Sequence, residues 1–310
     1  MRDGLKFITL VGGLHSKELC REISIWIEGI DVEVAMHRLL DKDILLRTTG
    51  SGDVTAYKHD AFGTNEHVFL IQEMGSDPWQ DLAAICTASQ QMKKQGVGRV
   101  TAVVPVWKLG HHGAGIPWLS DRSGTQKLVA DILRCSGLDR LATLTPTVDM
   151  LSGNYPIEVA QIDHSKKLAQ MLAESEIDHP VVLTDEEGVL PLAQSMAYRL
   201  GWNAGFCRIG KYETLSSEDV CDRDVLLYTH LYTDRLCKAA DDLLRRHCKS
   251  VSCYIPWLEN PEHTLDGLIS LPLTLITAES AYKGPAIRLP VEEIVAGWIL
   301  QDRSESCNRT

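Results

Sequence analysis

RVTAVVPV, residues Arg99–Val106, decides how the rest of the chain is read. It is β-branched and almost free of polar interruption, the mark of a strand buried on both faces of a parallel sheet. Parallel strands need long crossovers, usually helical, and the flanking sequence supplies them. Upstream, His67–Gln72 (HVFLIQ) reads as a second buried strand. Asp77-Pro78 then opens a helix, with proline at the tolerated first turn. That helix runs to about Lys94 and is closed by Gly96 and Gly98. Downstream, a Gly-rich loop from Leu109 to Pro117 leads to a helix over Thr125–Cys135, and Leu141–Leu144 begins another strand.

The same alternation continues to both ends. Phe7–Val11 reads as a strand and Ser16–Ile27 as a helix, with Glu18 early in it. Beyond the centre, a helix starts at Asp163 or Ser165, followed by a strand at Pro180–Leu183 and a helix over Gly188–Leu200. Gly205–Ile209, Val225–Thr229, Val251–Ile255 and Leu273–Ile276 are further strands, with a helix over Thr233–Arg246 between two of them. The last helix, Val291–Leu300, precedes a polar tail expected to fray. Short apolar runs alternating with amphipathic stretches predict an α/β protein. The expected architecture is two Rossmann-like lobes with mainly parallel sheets. At roughly 100–200 residues per domain, 310 residues suggest two domains. No low-complexity linker separates them, so pattern alone sets the boundary near Leu151. The lobes are 1–150 and 151–290, with the C-terminal helix, 291–301, expected to pack back on the first.

Composition narrows the function. A net charge of -11 argues against a broad nucleic-acid or anionic-membrane surface, since either needs a dense basic face. It leaves room for a small phosphate pocket. No apolar run approaches the ~18–20 residues of a membrane helix, and Met1–Val11 runs straight into a strand pattern without a signal segment. The nine cysteines are odd in number and include no Cys-x-x-Cys pair. Reduced thiols in a cytoplasmic protein are the natural reading, against a disulfide or zinc framework.

Ligands of open parallel sheets sit at the carboxyl ends of the strands, so the loops there were compared with known patterns. HVFLIQ, then DPWQDLAAICTASQQMKKQGVGRVTAVVPV, then KLVADILRCSGLDRL resembles the N-terminal lobe of the ribose-phosphate pyrophosphokinases, the PRPP synthetases. VVLTDEEGVLPLAQSMAYRLG and DVLLYTHLYTDRLCKAADDLL resemble strands, loops and helices of that family's second lobe. The resemblance runs in order from about Phe7 to Ser280, good in strands and helices and poor in loops. It implies two phosphoribosyltransferase-like lobes related by internal duplication. It also implies pyrophosphoryl transfer from MgATP to ribose 5-phosphate, a chemistry of positioning and charge stabilisation.

Position by position, the loops depart from the family. Where it has an Arg-Gln-Asp beside the nucleotide, this chain has Trp107, Lys108, Leu109, Gly110, His111 and His112. Its metal-binding His is replaced within Thr145, Pro146 and Thr147. Its "DxGG" pyrophosphate loop reads Asp185, Glu186, Glu187, Gly188, which sets extra carboxylates against a polyanion. Its catalytic Lys-x-Arg falls near Arg208, Ile209 and Lys211. Its ribose-phosphate loop reads His230, Leu231, Tyr232, Thr233, Asp234, Arg235, Leu236, Cys237, Lys238, without the glycines that let backbone N–H groups close on phosphate. A hydrogen bond to a charged group is worth ~1.5–3 kcal/mol. The family's ribose-phosphate loop opens on two acids that grip the ribose hydroxyls, and losing both therefore costs about 10²–10⁴ in binding. Losing one preorganised donor costs on the order of 10²–10³ in rate.

The resemblance therefore implies a homologue that is catalytically inactive and acts as a structural or regulatory subunit, as a homo-oligomer or with a catalytic PRPP synthetase. An active pyrophosphokinase, another phosphoribosyl-ligand enzyme or a ligand sensor stands as the alternative. The catalytic candidates are His111, His112 and Lys211, although adjacent histidines with no carboxylate at ligand spacing also suit a solvated loop. The candidates for holding a phosphorylated small molecule are Trp107, Asp185, Glu186, Gly188, Arg208, Asp234, Arg235 and Lys238. Acids before a helix are favourable for capping alone, and tryptophans are more often core or interface than stacking platforms. No metal ligand is assigned, and Mg²⁺ and ATP are expected only if the family activity survives.

Overall fold

The structure, a computed structural model, describes residues 7–13, 16–28, 33–39, 45–48, 54–57, 66–109, 122–151, 153, 155–177, 180–184, 189–206, 220–229, 234–256, 266–278 and 284–308. They form two compact units, Met1–Asp163 with Pro290–Thr310, and His164–Leu289. The dividing point lies beyond Leu151, where pattern alone places it.

In the first unit the chain runs β1 (Phe7–Gly12), α1 (Lys17–Glu28), β2 (Glu33–Leu39), β3 (Leu45–Thr48), β4 (Val54–Tyr57), β5 (His67–Ile71), α2 (Pro78–Lys94), β6 (Arg99–Val103), α3 (Arg122–Cys135), β7 (Arg140–Thr143), α4 (Val148–Leu151) and β8 (Glu158–Gln161). The described strands form one sheet in the order β4-β3-β2-β1-β5-β6-β7-β8. Pairing is parallel from β2 to β8, and β3 and β4 add antiparallel at the β2 edge. Strand β6 stops at Val103, short of the Val106 that its composition suggests, because Pro105 has no N–H to donate. Its carbonyl still accepts from Leu144 N at 3.0 Å. Alternation splits the strand side chains between two faces. Val68, Leu70, Val100 and Ala102 meet Leu82 and Ile85 of α2 and Val129 and Leu133 of α3. On the other face Phe69 meets Trp298 edge-on, ring centroids 6.3 Å apart. Trp298 belongs to the last helix, α9 (Val291–Asn308), which continues past the expected end at Leu300.

In the second unit the elements are α5 (Ser165–Glu174), β9 (Val181–Thr184), α6 (Leu190–Leu200), β10 (Ala204–Phe206), β11 (Asp224–Tyr228), α7 (Asp234–Arg245), β12 (Ser250–Tyr254), α8 (Asp266–Ile269), β13 (Thr274–Thr277) and β14 (Ile287–Arg288). Their sheet is parallel, in the order β10-β9-β11-β12-β13-β14. Val181, Leu183, Val225, Leu227, Val251 and Cys253 pack against Leu236, Ala239, Ala240 and Leu243 of α7. The α/β reading with mainly parallel sheets holds in both units.

Candidate functional site

Strand order locates the site. In each unit the first parallel strand lies between the second and the third: β1 between β2 and β5, β9 between β10 and β11. The chain therefore reverses its direction of travel across the sheet at β1/β5 and at β9/β11. At such a switch point the loops leaving two adjacent strands diverge and open a crevice outside their carboxyl ends.

In the first unit this crevice is filled by the protein itself. Gly13 follows β1 and donates its N–H to Ile71 O at 2.8 Å, tying the two strand exits together. Gln72 follows β5 and lays its amide against Gly13, so that a Cβ at position 13 would meet Oε1 at 1.8 Å. Gln72 Nε2 donates to Asp81 Oδ1 at 3.0 Å and to Glu73 O at 2.7 Å. Asp81 Oδ2 accepts from Gly75 N at 2.7 Å, and Ser16 Oγ accepts from Glu73 N at 2.6 Å. Lys108 adds a bond from Nζ to Gly75 O at 3.3 Å. Ser16, Gln72, Asp81 and Lys108 are all buried. Sequence reading missed this network. Its one visible signal was a glutamine closing an otherwise apolar strand.

In the second unit the register sets Val225 beside Val181 and Leu227 beside Leu183, so Thr184 and Tyr228 leave the sheet side by side. The two loops with the largest share of candidates start here. Asp185, Glu186 and Gly188 follow β9 and lie outside the described residues, as do Arg208, Lys211, His111 and His112. Asp234 and Arg235 form the first turn of α7, and Lys238 stands exposed one turn on. The strand ends rest on stacked rings. His164 and Tyr254 have centroids 5.1 Å apart, as do Tyr228 and Tyr254. Tyr228 Oη and His164 Nε2 are hydrogen-bonded at 3.2 Å. All three rings are buried, and burial pushes the Tyr254 phenol well above its usual range.

Trp107 is 1% exposed and belongs to the first unit's core. An indole so enclosed has no open face for a ligand, so Trp107 as a candidate for holding a phosphorylated small molecule does not fit this geometry. Its backbone N–H donates to Thr145 Oγ1 at 2.8 Å, which makes Thr145 a bracing residue. Among the described residues no three His, Cys, Asp or Glu side chains are gathered to hold a metal ion. Among them, too, no helix is long and apolar enough to cross a membrane.

The fold is similar to that of one solved structure, the phosphoribosylpyrophosphate synthetase of Mycobacterium smegmatis. It matches with a TM-score of 0.70 over 97% of this chain and 99% of that one, at 17% identity. The fold is that of a PRPP synthetase. Sequence similarity points the same way. The chain is 25% identical over 201 residues to the ribose-phosphate pyrophosphokinase of Buchnera aphidicola subsp. Acyrthosiphon pisum. It is 26% identical over 202 residues to that of Haemophilus influenzae. Each match covers 60% of this chain and 62% of the relative, so the chain matches less than two thirds of the PRPP synthetases' length. No protein-family model matches it. The resemblance read from the strands and helices stands.

Proposed function

We propose that this chain is a PRPP-synthetase homologue that has lost the family reaction and serves as a structural or regulatory subunit in nucleotide metabolism in the cytoplasm. The observation that supports this is the pairing of strand order with loop sequence. Thr184 and Tyr228 leave the sheet side by side at the second unit's switch point. The first exit leads to Asp-Glu-Glu-Gly and the second to His-Leu-Tyr-Thr-Asp. Against a ribose 5-phosphate or pyrophosphate group, the first of these loops carries added carboxylates and the second lacks the glycines of an amide cradle. Like charges a few ångströms apart repel, and the N–H donors that offset phosphate charge need a backbone that only glycine adopts freely.

Incubation with MgATP and ribose 5-phosphate, followed for AMP release, tests the proposal directly. The expected result is no AMP above background, and turnover above ~1 s⁻¹ overturns it. The second reading, an active ribose-phosphate pyrophosphokinase, draws on the relatives' names, which are those of enzymes; a different reaction on a phosphorylated ligand would be built from His111, His112, Lys211, Asp234 and Arg235. Calorimetry with PRPP separates a ligand sensor from a pure scaffold. Binding weaker than ~1 mM, about -4 kcal/mol, fits a scaffold, and micromolar binding fits a sensor.

A further inference from the structure

The amino ends of β11 and β12, at the opposite edge of the sheet from the strand exits, carry two cysteines that flank a single hydrogen bond. The amide after Cys221, Asp222 N–H, donates to the carbonyl before Cys248, His247 O, at 2.9 Å. That bond ties the peptide unit after Cys221 to the one before Cys248, which sets the two α-carbons roughly 5–7 Å apart. That falls within the range a disulfide spans. Both segments turn at this point on left-handed residues, Asp222 at φ 56° and His247 at φ 60°. Cys221 is exposed and Cys248 half-buried, and neither is in a disulfide. Burial, followed by the nearness of Cys221, raises the Cys248 thiol pKa above its ordinary value.

The geometry points to Cys221 and Cys248 as a redox pair that closes to an intramolecular disulfide when met by a small disulfide oxidant such as oxidised glutathione. Cys221, the accessible thiol, loses its proton and attacks one sulfur of the oxidant, releasing one glutathione thiolate that takes up a proton. Cys248 then loses its proton and attacks Cys221 Sγ, expelling the second glutathione. Two protein thiols are oxidised and one oxidant disulfide is reduced to two thiols. The bond joins the two ends of the β11–α7 segment, which also carries the loop after Tyr228. Oxidation thereby stiffens the segment that forms one side of the switch point.

The full-length folded protein at low micromolar concentration is treated with oxidised glutathione, alkylated and digested with trypsin without reduction. Cleavage at Lys211, Arg223, Arg246 and Lys249 puts Cys221 in peptide 212–223 and Cys248 in peptide 247–249, with no other cysteine in either. The expected result is one disulfide-linked species of these two peptides, about 2 Da lighter than their sum. It disappears in Cys221→Ser and persists in Cys135→Ser. Recovery of the two peptides separately alkylated, or with Cys221 held only as the glutathione adduct, overturns the inference.

Discussion

At residue scale, the contact of Gly13 with Gln72 makes the sharpest prediction. A methyl at position 13 would lie 1.8 Å from Gln72 Oε1 and 3.1 Å from Ile71 O, so Gln72 must swing away and surrender its bond to Asp81. Gly13→Ala should lose about 1–3 kcal/mol in urea unfolding, and an unchanged midpoint would remove the plug from the account. Tyr254 predicts the opposite sign. Its hydroxyl is buried with no hydrogen-bond partner among the described residues. Tyr254→Phe relieves that desolvation and should be neutral or stabilising, whereas Tyr228→Phe breaks the bond to His164 and should cost about 1 kcal/mol. Equal losses for the two variants would contradict this. His67 gives a pH dependence. Burial first, then the cations Arg99, Arg303 and Arg140, hold its pKa down at about 3 from an ordinary 6.5. The native ring stays neutral while the unfolded one takes up a proton as pH falls below 6.5. Stability from this group is thus complete above that pH and drains away toward about 3. His67→Gln should flatten the pH slope of unfolding over that window, and a parallel slope would sink the assignment.

At element scale, caps and edges explain what forms each piece. Helix α2 starts where Asp77 Oδ1 accepts from Trp79 N and Gln80 N, both at 3.1 Å, with Pro78 locked in the first turn. Asp77→Ala should cost about 1 kcal/mol, read as a lower thermal midpoint. Helix α9 is tied to the first unit's sheet by the ion pair of Arg140 with Asp302 and by the Arg140 guanidinium 5.2 Å from the Trp298 ring centroid. Asp302→Ala removes a mostly buried charged partner and should cost about 1.5–3 kcal/mol. High salt should restore none of it, since a mostly buried pair is little screened. The strands that sequence reading missed, β2 (EVAMHRL), β3, β4, β8 (EVAQ) and the two-residue β14, are edge or near-edge strands. Polar residues interrupt them, so no apolar run marks them, and it is the ladder of a neighbouring strand that makes them strands.

At the scale of the molecule, both units repeat one order of six parallel strands, β2-β1-β5-β6-β7-β8 and β10-β9-β11-β12-β13-β14. β3 and β4 extend the first unit's sheet beyond β2. The two units treat the switch point differently: the first fills it with Gln72, Asp81 and Ser16, and the second leaves its exits to the candidate loops. If the chain is a subunit, light scattering at micromolar concentration should give at least twice its 34.4 kDa. Co-expression with a catalytic PRPP synthetase should then yield a complex or a changed rate. A monomer that does neither would end the subunit proposal.

The alternation of apolar runs and amphipathic stretches determined the α/β class, because β-branched strands such as Arg99–Val103 and capped helices such as Pro78–Lys94 are set by neighbours close in sequence. Local patterning also marked the altered loops, whose glycines and charges are legible residue by residue. Only the tertiary structure decided which loops share a strand edge. Register between Thr184 and Tyr228 is fixed by hydrogen bonds across strands far apart in the chain. It likewise decided that Trp107 is core and that Gln72 fills a crevice, since burial depends on what packs from elsewhere.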